Sequence, residues 1–367
     1  MDQADQSEIM TIDRYVEHVS TVPAIAGQTM RQFVREKCPA AIANAAEGRA
    51  PEGQVVLMVH GGFWPCTAAF DCPLPGYSWM EDLASAGYDV FTLDMTGHGR
   101  SALSLQADLA NISPDQITGD APAGIEQAGQ PTYPFQLATS DTETADLDAV
   151  VDFIRELRGV ERIKLIGWSG GGIRTGTYAL RHPYKVDRIV IWASSNYQPE
   201  GSDDPPAEMP VPGHPTTFQS HEYGETERWR ANIKCDGQIE DEAIFHVVKQ
   251  AAAEADPVGA GWGGLRGPTR TYWGWTRKAV AKFSQPALVM VGDYDRLLAS
   301  NIGLYGDLGT AHKAFLSIAC ASHFMMWERA RHIQRRAVRE WLDHGTLEGH
   351  TNGMFHADEH GNILPRD

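Results

Sequence analysis

Six short apolar runs, each ending at a turn, constrain this chain more than any other feature. Gln54 to Val59, Tyr88 to Leu93, Arg162 to Gly167, Val186 to Ala193, Pro286 to Val291 and Ala314 to Ile318 are dominated by Val, Ile, Leu and Met. Runs of this length without polar alternation read as strands covered on both faces. Helix-periodic stretches fall between and after them, over residues 77–87, 143–157 and 330–341. Strands alternating with helices predict an α/β fold with a mostly parallel sheet and helices on both faces. Ser140 and Glu143 have capping-box spacing ahead of the helix at 143–157. Two β-rich runs within residues 14–37, flanking Pro23 to Gly27, add an antiparallel hairpin.

Two regions depart from the alternation. Residues 102–139, rich in Pro, Gly, Asp and Gln, read as a long surface excursion. Residues 196–284 lie between two core strands and carry a helical stretch of their own near 239–253, which predicts an inserted cap. The predicted division is a discontinuous core, 1–195 with 285–345, a cap at 196–284 and a polar C-terminal tail at 346–367. His344, His350, His356 and His360 are irregularly spaced, so the tail is expected to be solvated rather than to hold a metal.

A net charge of −17 argues against a nucleic-acid or anionic-membrane surface, because phosphate binding needs clustered Lys and Arg. The first residues, MDQADQSEIMTIDRYVEH, show neither a basic region nor an apolar stretch of the kind that marks a secretory signal. The run Val55 to Val59 is too short to span a bilayer. A cytoplasmic location and reduced thiols are therefore expected. Five cysteines, at 38, 66, 72, 235 and 320, lack the paired spacing of a zinc site. Cys66 and Cys72 lie in one loop and would be the pair to bridge in an oxidising compartment.

The strand at 162–167 runs into Gly167-Trp168-Ser169-Gly170-Gly171, a lone serine between glycines where a strand meets a helix. Such a turn suits a nucleophile held on a strained elbow, and equally an ordinary Gly-rich turn. Serine catalysis also needs a base, a carboxylate to orient it and N–H donors for the oxyanion. His60-Gly61-Gly62-Phe63-Trp64, Gly292-Asp293-Tyr294-Asp295 and Ala321-Ser322-His323 supply such residue types, each close behind a strand end. In open α/β sheets, sites form at the carboxyl ends of strands.

Taken in order, HGGFWP, TLDMTGHGRS, GWSGGG, PALVMVGDYD and ASHFMMWE resemble the successive signature segments of α/β-hydrolases with a cap domain. The resemblance spans about residues 54 to 342. It implies Ser169 as nucleophile, His323 as base and Asp295 as acid, with Asp293 the nearby rival. It also implies an oxyanion hole from the N–H groups of Gly62 and Gly170, with Phe63 the alternative to Gly62. Asp94 and the Gly97 to Ser101 turn would be structural. Relatives with aspartate at the nucleophile position, the haloalkane dehalogenases and epoxide hydrolases, are set aside by Ser169.

What remains is acyl chemistry without metal or cofactor: an ester hydrolase, with thioesters, amides, lactones and acyl transfer as variants. A C–C bond hydrolase, a cofactor-free oxidoreductase and a non-catalytic ligand-binding homologue are the rival readings. Trp64 beside the oxyanion loop, Trp168 beside Ser169, and Trp229, Trp262, Tyr272, Trp273 and Trp275 in the cap predict an aromatic pocket. Phe63, Trp64, Trp168, Trp273 and Trp275 are the predicted substrate contacts, and a small apolar or aromatic ester is the predicted substrate.

Overall fold

The computed structural model describes residues 8–22, 25–45, 50, 53–133, 135–208 and 214–366. Residues 1–7 of the polar start, and Pro23 and Ala24 of the hairpin turn, lie outside these.

The strands are β1 (Ile9–Val19), β2 (Thr29–Pro39), β3 (Val55–Val59), β4 (Asp89–Leu93), β5 (Ile112–Thr118), β6 (Ala138–Thr139), β7 (Ile163–Trp168) and β8 (Val186–Trp192). They continue with β9 (Thr216–Ser220), β10 (Gly264–Pro268), β11 (Arg270–Thr271), β12 (Ala287–Gly292), β13 (Lys313–Ile318), β14 (Gly353–Ala357) and β15 (Ile363–Pro365). Ten of them form one sheet in the order β1-β2-β4-β3-β7-β8-β12-β13-β14-β15. From β4 to β14 every neighbouring pair is parallel, while β1-β2, β2-β4 and β14-β15 are antiparallel.

Why the central strands carry no polar alternation is visible in β3. Val56 and Met58 pack into one apolar core, and Val55, Leu57 and Val59 into another. Successive side chains point to opposite faces, so a strand covered on both sides must be apolar throughout. The helices Ser140–Arg158 and Gly170–Arg181 cover one of these faces, and Trp79–Ser85 and Arg331–His344 the other. Three of them form where the apolar period predicted them, within a few residues, and Gly170–Arg181 follows the serine turn at 169.

Three expectations need correction. The helix at 140–158 is capped by Thr139, whose hydroxyl accepts from the Thr142 N–H, rather than by Ser140. Glu143 is turned inward instead. The polar tail is not solvated throughout: β14 and β15 extend the sheet, with Phe355, Ala357 and Ile363 buried. A few alternating apolar residues sufficed to complete an edge, although the segment's composition is polar. The layer above the strand ends draws on both excursions, because β5 from the first pairs with β9 of the second in a sheet ordered β10-β9-β5. A further bridge joins β6 to β11.

Cys66 and Cys72 are both free and buried. The bridge is instead Cys235–Cys320, across 85 residues of sequence with a Cα–Cα distance of 5.7 Å. It ties the cap segment to the loop just ahead of His323 and overturns the expectation of reduced thiols for those two residues. Among the described residues, no helix is long and apolar enough to cross a membrane.

Candidate active site

Ser169 occupies the single residue between the end of β7 and the helix Gly170–Arg181, with φ 53° and ψ −115°. A serine held there is strained by about 1–3 kcal/mol, and surrounding contacts must fix it. They do: its N–H donates to the Trp192 carbonyl at 2.9 Å, and its carbonyl accepts from Gly172 at 2.9 Å and Ser195 at 3.1 Å. The flanking glycines are required by packing. A methyl at Gly171 would overlap the Val59 carbonyl, and one at Gly167 would overlap Thr175 and the Gly171 carbonyl. Gly170 opens the helix, so its N–H has no partner within it.

The loop after β3 is bent at Phe63, whose φ is 69°. The Trp64 N–H donates to the Gly62 carbonyl at 2.9 Å, closing a three-residue turn of the strained, positive-φ kind. Arg174, on the helix that Ser169 starts, reaches under this loop and donates to the carbonyls of His60 at 2.9 Å and Gly61 at 3.2 Å. Its Nε donates to Glu143 at 2.9 Å, which explains why Glu143 is turned inward. The His60 Nε2 accepts from the Met95 N–H at 3.1 Å, so Nδ1 carries the hydrogen and donates to the Gly61 carbonyl at 2.7 Å. Burial, reinforced by Arg174, holds this imidazole neutral by pulling it well below the usual histidine range. With the Gly61 carbonyl pinned, the trans peptide directs the Gly62 N–H the opposite way. That nitrogen lies 3.5 Å from where a methyl on Gly170 would sit. The two residues expected to donate to an oxyanion are therefore neighbours across the turn.

The loop after β12 separates the two aspartates. The Asp295 Oδ2 accepts from His323 Nδ1 at 2.8 Å, and its Oδ1 accepts from the Leu297 N–H at 2.9 Å. Asp293 faces away, with its carboxylate 3.8 Å from His356 of β14 and partly exposed. His323 is held from behind: the Trp168 indole donates to its carbonyl at 3.1 Å. Next to it, the Ser322 N–H and hydroxyl both donate to Glu328, which also accepts from the cap residue Trp229 at 3.1 Å. Burial pushes the Glu328 carboxyl up.

The aromatic expectation fares differently. Trp64 and Trp168 are buried in a cluster with Trp192, Phe324 and Trp327, where Trp168 stacks on Trp192 at 5.4 Å and also meets the His323 ring at 5.6 Å. They support the loops and do not line the cavity. Trp275 is 2% exposed and packs on Gly176, leaving no room for a methyl there. Trp273 is buried, and its backbone is pinned to the Ser140 hydroxyl. Of the five predicted contacts, Phe63 alone lines the cavity of about 490 Å³ beside the oxyanion loop. That cavity is polar, with Gln116, Gln198, Thr217, Arg270 and Tyr272 on its wall. A smaller one, about 200 Å³, is bounded by Tyr223, Arg228, Tyr294, Asp295 and His323.

Arg174, Arg228, Arg270, Glu143 and Glu328 are the site residues that the sequence reading missed. Arg174 and Arg270 meet partners tens of residues away, and Glu328 reaches Trp229 across 99, while the nearer contacts Arg228–Gln219 and Glu328–Ser322 follow no period; an arginine on the helix opened by Ser169 was the one available hint.

Residues 54–221 match the family described as the alpha/beta hydrolase fold. Among solved structures, naproxen esterase (carboxylesterase NP) from Bacillus subtilis is 15% identical over 91% of this chain and 92% of its own, with a TM-score of 0.50. A serine hydrolase from the polyaromatic hydrocarbon-degrading bacterium Cycloclasticus zankles is 14% identical over 90% and 98%, with a TM-score of 0.52. A thermophilic esterase from Thermogutta terrifontis is 15% identical over 90% and 99%, also at 0.52. No curated protein matches the sequence. The chain has the α/β-hydrolase fold, and the family match covers its residues 54–221.

Proposed function

We propose that this protein is a serine hydrolase that cleaves a carboxylic ester through an acyl-enzyme. The observation that carries the reading is Ser169 strained at φ 53° on its elbow, with a His323–Asp295 pair at 2.8 Å in the loops behind β12 and β13. The Ser169 hydroxyl attacks the ester carbonyl while His323 Nε2 accepts its proton. Asp295 holds the Nδ1–H tautomer and stabilises the imidazolium that forms. The N–H groups of Gly62 and Gly170 receive the oxyanion, and preorganised donors of this kind are worth about 10²–10³ in kcat each. His323 then protonates the departing alcohol. Water, deprotonated by the same imidazole, releases the acid and restores Ser169.

A fluorophosphonate probe followed by peptide mapping tests the assignment. Stoichiometric labelling at Ser169, abolished in Ser169→Ala, is expected. Absence of labelling in a folded sample, or labelling elsewhere, would overturn it.

A further inference from the structure

The chain carries a net charge of −17, yet beside the oxyanion loop the sign reverses. Arg270, at the start of β11, presents its guanidinium to Gly62: a methyl there would meet Nη1 at 2.9 Å and Nη2 at 3.2 Å. Its other neighbours supply no counter-charge. The His98 Nε2 lies 3.5 Å from Nη2, and burial holds that imidazole neutral, well below the usual histidine range. The Phe63 ring centroid is 5.6 Å away. The buried Nε has no hydrogen-bond partner, and among the described residues no carboxylate lies within ion-pair distance of this guanidinium. Tyr272 and then Glu143 are the acidic groups that attract it, but burial pushes the Tyr272 phenol up and Arg174 already engages Glu143. Asp115 also lines the cavity but is exposed.

Arg228 approaches from the cap and repeats the pattern. It donates to the Gln219 side-chain oxygen at 2.7 Å, and among the described residues no carboxylate pairs with it. Burial and the neighbouring Arg296 lower it, and Asp295, which attracts it, is held by His323.

Burying a cation without a counter-ion is costly, and the cost is relieved when a ligand brings the missing charge. A guanidinium fork matches a carboxylate in two parallel hydrogen bonds. The cavity, about 490 Å³, is large enough for a small molecule, and its other walls offer amides and hydroxyls. Distance along the loop sets the spacing. A methyl at Gly61 would lie 3.0 Å from the Ser169 Cβ, and Arg270 sits against the next residue.

We propose that the ester cleaved here carries a free carboxylate in its acyl part, bound by Arg270 about two to four carbons from the carbonyl that Ser169 attacks. This rests on the serine-hydrolase reading and narrows its substrate to half-esters of short dicarboxylic acids.

The test compares 4-nitrophenyl hydrogen glutarate with its methyl ester, 4-nitrophenyl methyl glutarate, in which the far carboxylate is capped by a methyl and carries no charge; release of 4-nitrophenol is the readout for both. Wild type should favour the charged ester in kcat/KM by about 10- to 100-fold. Arg270→Gln should bring that ratio to one or below, and Arg270→Lys should retain part of it, since a point charge lacks the fork. Calorimetry with glutarate reads the anion site without turnover, and its affinity should fall at least about tenfold in Arg270→Gln. Melting temperature and fluorophosphonate titration of each variant establish the folded, competent fraction. A wild-type ratio of one or less, or equal losses on both esters in Arg270→Gln, overturns the proposal while labelled Ser169 keeps the hydrolase reading intact. Glutarate binding without labelling or turnover would reverse that outcome, sinking the hydrolase reading and leaving the anion site.

Discussion

Two charge clusters on this sheet, one buried and one only partly buried beside cavities, invite comparison. Behind β2 and β4, Arg158 donates to Glu36 and to Asp89 at 2.6 Å, and Arg14 also pairs with Glu36. Two arginines face two carboxylates, with Cys38 donating to Glu36 at 3.2 Å, so the charges are matched, although Asp89 Oδ1 is left without a hydrogen-bond partner. At the strand ends, Arg174, Arg228 and Arg270 surround the oxyanion loop and the His323 pair, where Glu143 and Asp295 are each already held. This second group is in excess of positive charge and borders cavities. A balanced cluster needs nothing more than its own packing. The unbalanced one is complete only with an anion, whether substrate or the oxyanion of reaction. Burial alone therefore does not mark a functional arginine; burial with a missing partner at a cavity does.

The largest test of that contrast is Ser169→Ala. If the open cluster serves acyl transfer, kcat should fall by about 10⁶, since the remaining machinery acts little without the nucleophile. Melting should change little, because only a hydroxyl is lost. Ester turnover near the wild-type rate in an esterase-free sample would detach the arginines from catalysis. Next in size is the pair of aspartates two residues apart. Asp295→Asn should cost about 10⁴ in kcat by favouring the wrong tautomer of His323. Asp293→Asn, which faces His356 at 3.8 Å, should cost less than about tenfold. Equal losses would mean that the 2.8 Å contact is not what orients the base.

What could be read in advance follows the same division. The strands and Ser169, His323 and Asp295 sit on local patterns, apolar runs and the short turns after them, so neighbouring residues announce them. Arg270 and Arg174 take their meaning from Gly62, His98 and Glu143, residues brought close by the sheet order rather than by spacing. Cys235 and Cys320 likewise meet across 85 residues. The tryptophans misled because an aromatic near a site in sequence can face either the ligand or the core. Trp64, Trp168 and Trp275 face the core.

Trp275 makes that last distinction measurable. It comes from the cap segment yet packs on Gly176 and with Val280 and Phe283, in the core on the side of the helix Ser140–Arg158. Trp275→Ala should lower stability by about 3–5 kcal/mol while leaving the ratio of kcat/KM for bulky and small esters unchanged. Chemical denaturation and a pair of esters differing in size read both quantities. A selective loss on the bulky ester at unchanged stability would return this residue to the substrate wall.

The smallest effect belongs to the balanced cluster and tests whether it is only structural. Asp89 is pushed up to about 7, first by burial and then by the negative charge of Glu36, with Arg158 opposing. An unfolded aspartate ionises near 3.8, so between roughly pH 4 and 7 the folded chain holds a proton that the unfolded chain has released. The folded state then binds more protons, and this group's contribution to stability, full below the lower value, is lost as pH rises through the higher one. The slope cannot exceed about 1.4 kcal/mol per pH unit for one proton. Asp89→Asn cannot titrate, so although it loses a partner for Arg158, it should gain on wild type as pH rises from 5 to 7.5. Denaturant midpoints of both proteins across that range provide the measurement. A constant difference would show that Asp89 keeps its charge throughout and that Arg158 outweighs burial. Activity on a neutral ester should follow the folded fraction alone, because Arg158 and its partners lie behind β2 and β4, away from the ring of arginines at Ser169.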